Sequence, residues 1–519
     1  MKEHWKRVLL VFLAAMTAYG CAHSFIASAE SDGMCGENVV WSFCSETGTL
    51  TISGVGNMDN YYDAGSDSCI PWKTYQNEIR AVVIGYGVNS IGSSAFEWCE
   101  NLTCISIPES VTSIGNDAFF GCGSLGSVTI PDNVTHIGNC VFFYCESLTD
   151  VHIPDTVTAI GYAPFAGCSE LTTITVDERN TVYCCDENGI LYDRDMSILI
   201  QCPAAVRQAS VPIPDSVRII GECAFLGCSN LTNMAVPDSV SVIQSNAFED
   251  CRNLTSISIG TGLTDLEKEV FFCCEKLKDI TCPAIVEHVE PLAFNETAFE
   301  KNADNWSGGV LYWNRCVIEA SPELSGEYAI AAGTKCIASC AFSFCSKLTG
   351  VTIPDSVTHI GWCAFRDCSD LAYVHMSANV IEIADDVLYG SCARVCCDTE
   401  NTVAEAFVRR NGIEYCRCDG CCHVPMTEVS RLETTASPYA DVFLEIEDAA
   451  RYPVNIEETI PETTFADMRS GDVENSAAKT ESASQAQPRT VSESETVEEE
   501  TGLFAKLRAF FHALFDRFF

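Results

Sequence analysis

One phrase, returning every 23 residues, constrains this chain more than any other feature. Ile114-Gly115, Ala118-Phe119, Cys122, Leu125, Val128, Ile130-Pro131 and Val134 are followed by Ile137-Gly138, Val141-Phe142, Cys145, Leu148, Val151, Ile153-Pro154 and Val157. The anchor isoleucines Ile91, Ile114, Ile137 and Ile160 keep the period without drift. They resume at Ile220 and Ile243, pass to Leu266 and Val289, and return at Ile337, Ile360 and Ile383. A unit this short cannot enclose its own apolar side and must stack on its neighbours. The array therefore predicts one solenoid rather than a string of domains.

Within a unit, Val128 and Ile130 alternate with Ser127 and Thr129, the period of two that marks a half-buried strand. Pro131 ends that strand because it has no N–H for the ladder. Each unit thus reads as strand, turn, convex crossing and short helical turn, with the strands of successive turns parallel in a single sheet. Of the 32 cysteines, nine share one repeat position: Cys99, Cys122, Cys145, Cys168, Cys228, Cys251, Cys274, Cys345 and Cys368. They read as a structural ladder of buried thiols, small hydrophobes with a weak S–H donor for a turn carbonyl. Cys140, Cys223, Cys340 and Cys363 share a second position, three residues after the anchor. Cys340 and Cys363 lie one period apart and are spaced for a disulfide if their Cβ vectors agree.

The phase breaks twice, between Ile160 and Ile220 and between Val289 and Ile337. Both breaks carry a similar phrase: Gly189-Ile190-Leu191-Tyr192 with Ile198-Leu199-Ile200, and Gly309-Val310-Leu311-Tyr312 with Val317-Ile318. Each reads as a β-hairpin replacing a standard unit. The expected organisation is a signal peptide at 1–29, an N-terminal capping unit at 30–81 and the solenoid at 82–392, with islands near 177–213 and 295–330. A C-terminal cap at 393–422, an acidic disordered stalk at 423–500 and an amphipathic helix at 501–519 complete it.

The ends are distinct in composition. Lys2, Lys6 and Arg7, an apolar run over 8–18 and Ala27-Ser28-Ala29 resemble an export signal cleaved before Glu30. Lipidation at Cys21 and an uncleaved anchor are the alternatives. Residues 423–500 hold 18 acidic against 5 basic side chains, too polar to offset the entropy of ordering. In the last stretch Leu503, Phe504, Leu507, Phe510, Phe511, Leu514, Phe515 and Phe518 fall on one side of a helical wheel. The opposite side takes Lys506, Arg508, His512, Asp516 and Arg517, a pattern suited to membrane or envelope contact, to docking on the protein, or to pairing with another copy.

The recurrent Ile-x-Ile-Pro-x-x-Val-x-x-Ile-Gly-x-x-Ala-Phe-x-x-Cys-x-x-Leu resembles the BspA-like, or treponemal-type, leucine-rich repeat over roughly 48–418. Gln244, Glu267 and Glu290 depart from it where Gly usually follows the anchor. The resemblance implies a curved right-handed solenoid with a parallel β-sheet on its concave side. It also implies a secreted or cell-surface protein whose partners are proteins or glycans of a host or neighbouring cell.

A formal charge of −42 excludes nucleic acid as a partner, since a duplex binder needs clustered Lys and Arg. No H-E-x-x-H, G-x-S-x-G or P-loop occurs, so neither an enzyme nor a cofactor is expected. Aspartates after the Ile-Pro turns (Asp132, Asp155, Asp215, Asp238, Asp355) fit turns that bond their own backbone. Outward strand positions are mostly small hydroxyl residues. The candidate ligand-contacting residues are therefore Asp150, His152, Asp279, Tyr373 and His375 on strands, with Tyr192 and Tyr312 in the islands. Cys416, Cys418, Cys421, Cys422 and His423 form the densest ligand-like cluster, open to disulfides, free thiols or a tetrahedral metal. The leading functional expectation is adhesion or protein binding; the alternative is a passive structural or spacer component of the envelope.

Overall fold

The computed structural model describes residues 31–61, 70–377, 379–397 and 401–417. The chain separates into two units, Met1–Arg469 and Ser470–Phe519, and the described residues all lie in the first. The export segment, the stalk, the closing helix and Cys418, Cys421, Cys422 and His423 fall outside them.

Stacking of the 23-residue units gives a β-solenoid of about 14 turns with parallel sheets and little helix. A standard turn contributes two strands, not one. The longer carries the alternating pattern: Asp150–Ile153 pairs in parallel with Thr173–Val176, placing His152 beside Thr175. The shorter ends on the anchor, and Ser113–Ile114, His136–Ile137 and Ala159–Ile160 stack in register. Two parallel ladders therefore run along the stack where the sequence suggested a single sheet, because the chain extends again after each Pro turn. Threonine hydroxyls add rungs: Thr112 donates to Asn89 O, Thr135 to Thr112 O and Thr158 to Thr135 O, at 3.1–3.3 Å.

The third side differs from the expected helical turn. Three and seven residues after each anchor the backbone is left-handed, as at Asp117 (φ 54°) and Gly121 (φ 70°), or Cys140 (φ 51°) and Tyr144 (φ 53°). This conformation turns alternate N–H groups toward the next coil instead of back along a helix. Asp117 N donates to Asn139 O, Phe119 N to Val141 O and Gly121 N to Phe143 O, at 2.8–2.9 Å. A non-glycine residue in this region costs about 1–2 kcal/mol, which these inter-turn bonds offset. Gly121 is required twice over, since a Cβ there would sit 2.0 Å from the Trp98 ring.

The core repeats as regularly. Trp72, Phe96, Phe119, Phe142 and Phe165 form a column with centroids 5.3–5.8 Å apart, each ring at most 1% exposed. Each such pair contributes about 0.5–1.5 kcal/mol beyond area burial. Beside it runs the thiol ladder, every member buried. Cys122 Sγ donates to Phe96 O, Cys145 to Phe119 O, Cys168 to Phe142 O, Cys251 to Phe225 O, Cys274 to Phe248 O and Cys368 to Phe342 O, at 3.0–3.2 Å. Burial raises the thiols of Cys122, Cys145, Cys168, Cys228, Cys251 and Cys345, and those of Cys99 and Cys368 to about 12. They are poor nucleophiles in consequence.

At the N-terminal end Ser31–Gly36, Val39–Cys44 and Thr49–Gly54 form an antiparallel meander, whose last strand pairs in parallel with Ala81–Ile84. Each island is a three-stranded antiparallel unit rather than a plain hairpin. Tyr183–Cys185, Leu191–Asp193 and Ile198–Gln201 make the first, and Trp306–Ser307, Val310–Trp313 and Cys316–Ala320 the second. After the final turns comes the one α-helix among the described residues, Thr402–Asn411. Asn401 caps its first N–H groups through Val403 and Ala404, and Gly412 ends it in the left-handed conformation. The strand Tyr415–Arg417 then pairs with Arg394–Cys397.

Candidate binding surface

The outward residues of the longer strands are spread over separate sheets and do not converge. Asp150 and His152 are exposed; Thr149 Oγ1 donates to Asp150 Oδ2 (2.8 Å), and His152 Nδ1 meets Thr175 Oγ1 at 3.0 Å. Asp279 is exposed and faces Lys278 Nζ at 3.5 Å. Tyr373 and His375 are half-buried, and the Tyr373 ring lies across Gly350, whose Cβ would be 2.4 Å from it. Burial, together with a hydrogen bond to Glu327, raises the Tyr373 phenol.

The island tyrosines part company. Tyr312 is half-buried, its hydroxyl 3.0 Å from that of Tyr328 and accepting Ala331 N–H at 3.2 Å. Tyr192, expected as a ligand contact, is 0% exposed. It is a core residue, because its strand is covered on both faces.

Of the cysteine-histidine cluster only Cys416 is described, and it lies in register with Cys396 on the neighbouring strand. Cys340 and Cys363 are free thiols on adjacent turns, both raised by burial. Two of the turn aspartates bond between turns rather than within them: Asp238 Oδ1 accepts Thr261 N–H at 2.7 Å, and Asp355 Oδ1 accepts from Ser377 Oγ at 3.2 Å. Beside Asp238 an open groove runs over Asp215, Pro237, Ser258 and Pro283, where small outward side chains leave room. Ser239 Oγ lines it, buried and without a hydrogen bond among the described residues.

Two clusters escaped the sequence reading. On the left-handed side, Phe344 and Tyr389 are 37% and 38% exposed, and the Arg366 guanidinium sits between them, 5.8 Å from one ring centroid and 5.4 Å from the other. The patch joins three successive turns. Its signal was available in the repeat, since Trp98, Tyr144 and Phe344 occupy the position that Gly121 and Gly167 fill elsewhere. On the anchor side, His288, His359 and Glu382 place a ring nitrogen of each histidine and a carboxylate oxygen within 4.8 Å of one another. His359 is only 9% exposed. Burial lowers the His288 imidazole, but the hydrogen bond and charge of Asp265, with Glu382, raise it further. These histidines are 71 residues apart, and the second island lies between them in the chain.

The repeat that builds these surfaces also places the chain among known proteins. Its sequence matches the BspA type leucine rich repeat region, in six copies, over residues 73–184, 204–304 and 327–406. The chain belongs to that family. A leucine-rich repeat protein from Eubacterium ventriosum is similar in structure, with 24% identity over 70% of this chain and 95% of its own, at a TM-score of 0.47. A leucine rich cell surface protein from Faecalibacterium prausnitzii shares 20% identity over 73% of this chain and 98% of its own, at a TM-score of 0.33. The pneumococcal vaccine antigen PcpA shares 14% identity over 76% of this chain and all of its own, at a TM-score of 0.36. No curated protein matches in sequence. Among the described residues of this BspA-type chain, no helix is long and apolar enough to cross a membrane.

Proposed function

We propose that this chain is a secreted or surface-attached binding protein whose solenoid contacts protein or glycan on a host or neighbouring cell. The observation that carries the reading is the Phe344–Arg366–Tyr389 patch. It combines exposed aromatic rings and an arginine over consecutive turns, the residue types in which interface energy concentrates. Membership of a repeat family that generally mediates protein binding supports it. The hydroxyl-rich strand faces would add weak contacts multiplied along the array. In this reading the acidic stalk is a spacer and the closing helix the attachment.

The test is to screen the full chain against host matrix proteins, glycans and whole neighbouring cells. Any captured partner is then titrated against Phe344→Ala and Tyr389→Ala, with circular dichroism to confirm the fold. Loss of affinity of at least tenfold in either variant is expected if the patch is a hot spot. Capture that both variants retain in full would move the binding surface elsewhere. A screen that captures nothing would favour a passive envelope or spacer component.

A further inference from the structure

We propose that His288, His359 and Glu382 form a binding site for a divalent transition-metal ion of the zinc type. His288 Nε2 is 3.5 Å from Glu382 Oε1, and His359 Nε2 is 3.8 Å from Glu382 Oε2. The three ligand atoms lie within 4.8 Å of one another, wider than the about 3.3 Å that tetrahedral zinc sets, so the imidazoles and the exposed Glu382 side chain close inward on binding.

The surroundings orient both imidazoles through their Nδ1 atoms. His288 Nδ1 meets Asp265 Oδ1 at 2.8 Å, and a carboxylate can only accept, so Nδ1 carries the proton. His359 Nδ1 meets Thr358 Oγ1 at 2.9 Å, while that hydroxyl donates to Lys335 O at 3.3 Å. Its hydrogen is thereby committed and its oxygen accepts. Both Nδ1–H assignments come from the hydrogen-bond network, and in the neutral ring each leaves the Nε2 lone pair on the Glu382 side. Three acceptors thus converge on one point, and a cation satisfies all of them. A second group that orients each ligand imidazole is the usual companion of a metal site.

Ligand type narrows the ion. Two imidazoles and one carboxylate suit zinc, copper, nickel or cobalt, and poorly match calcium or magnesium, which take oxygen shells. The side chains of His288 and Glu382 are 39% and 54% exposed, so solvent reaches the site and fills the open coordination positions. The site joins three anchor-side positions, one before the second island and two after it, on strands His288–Val289, His359–Ile360 and Glu382–Ile383.

The experiment uses the full chain, stripped with chelator and titrated with Co²⁺ and then Zn²⁺, followed by visible spectroscopy and calorimetry. Cobalt on nitrogen and oxygen gives d–d bands without the near-ultraviolet thiolate band that the many cysteines would produce. The expected result is one such site per chain, displaced by zinc and weakened at least tenfold by Glu382→Gln and by Asp265→Asn, both at partly exposed positions. Thiolate-type spectra alone, no saturable cobalt binding, or nitrogen–oxygen bands unchanged in Glu382→Gln and His288→Gln would each overturn the proposal. Melting curves of each variant without metal separate loss of ligand from loss of fold.

Discussion

At Leu191–Tyr192 and at Leu311–Tyr312 the two islands shift register at the same step of the same phrase. Their hairpins then join the anchor ladder in the same way, Leu199 beside Ile220 and Val317 beside Ile337. Their packing is nonetheless different. In the first island alternate residues enter different cores: Leu191, Ile198 and Ile200 face the N-terminal core, and Ile190, Tyr192 and Leu199 the C-terminal one. Strand Ile198–Gln201 is buried at all four positions and forms a wall between the two. In the second island Val310, Leu311, Trp313 and Val317 all pack into a single core, which continues past it. Trp313 even extends the aromatic column, 5.0 Å from Phe294, whereas the first column stops at Phe165 and a new one starts at Phe225. One local sequence therefore builds a partition in one place and a splice in the other. What lies on the outer side decides which.

The largest test of this contrast is truncation of the shared tyrosine. Tyr192→Ala should cost about 3–5 kcal/mol, the range for emptying a large ring from a closed core. It should also uncouple the two halves, seen as a second transition in denaturant unfolding. Tyr312→Ala should cost about 1–2 kcal/mol, since the ring is half-exposed and loses only its hydrogen bonds to Tyr328 and Ala331. Equal losses would abolish the distinction between wall and splice.

Next in size is the hairpin turn. In the first island Asp193, 5% exposed, accepts Ser197 N–H (2.6 Å), Ile198 N–H (2.8 Å) and Ser197 Oγ (2.6 Å). In the second, Asn314 and Arg315 make a two-residue turn with φ 44° and 64°, between paired Trp313 and Cys316. Asp193→Ala should cost about 3 kcal/mol by leaving buried donors without a partner. Asn314→Gly should cost about 1 kcal/mol, because glycine accepts the left-handed position but loses the Asn314 Nδ2 hydrogen bond to Ala284 O (2.7 Å). Thermal melts of the pair give the comparison directly.

A finer distinction lies within the first island. Tyr183 OH accepts Ile160 N–H at 2.8 Å, the bond by which the island caps the preceding anchor strand. Tyr192 OH is buried with no hydrogen bond among the described residues. Tyr183→Phe should therefore cost about 1–3 kcal/mol and Tyr192→Phe nothing, or should stabilise slightly. Hydrogen exchange at the Ile160 amide would report the first change and ignore the second.

The sequence made the stack legible because its period is a packing rule: each of Ile114, Phe119, Cys122 and Leu125 has to meet its own copy one turn away, so spacing alone identifies the core. It also marked both islands, where the spacing fails. Tyr192 was misread because it shares its core with Cys202 and Val206, which follow in an irregular stretch without a phrase of their own. The two-ladder architecture was hidden for a related reason, since Val134 to Ile137 is too short to show strand alternation. The left-handed pairs were invisible as conformation, because Asp117, Cys140, Ala163 and Leu292 share a φ sign but no chemistry. His359 and Glu382 are neighbours by the repeat itself, one period apart, but His288 joins them only across the second island, which the spacing did not show.

The smallest effect concerns protons, and it places the islands side by side once more. Just beyond the first, burial and the charge of Glu267 push Glu222 from 4.5 up to about 7. Within the second, burial and the charge of Glu300 push Glu319 from 4.5 up to about 7. Each carboxyl holds its proton more tightly when folded than when unfolded. Between about pH 4.5 and 7 the folded chain therefore binds more protons, and stability falls as pH rises through that window. The melting temperature should be higher at pH 5 than at pH 8, with most of the decline complete by about pH 7.5. Glu222→Gln and Glu319→Gln should each flatten the slope by a similar share, because both remove an ionisation that burial opposes. If Glu222→Gln flattens it and Glu319→Gln does not, the second island admits more solvent to Glu319 than its packing implies, and the wall, not the splice, is the pH-sensitive part of the stack.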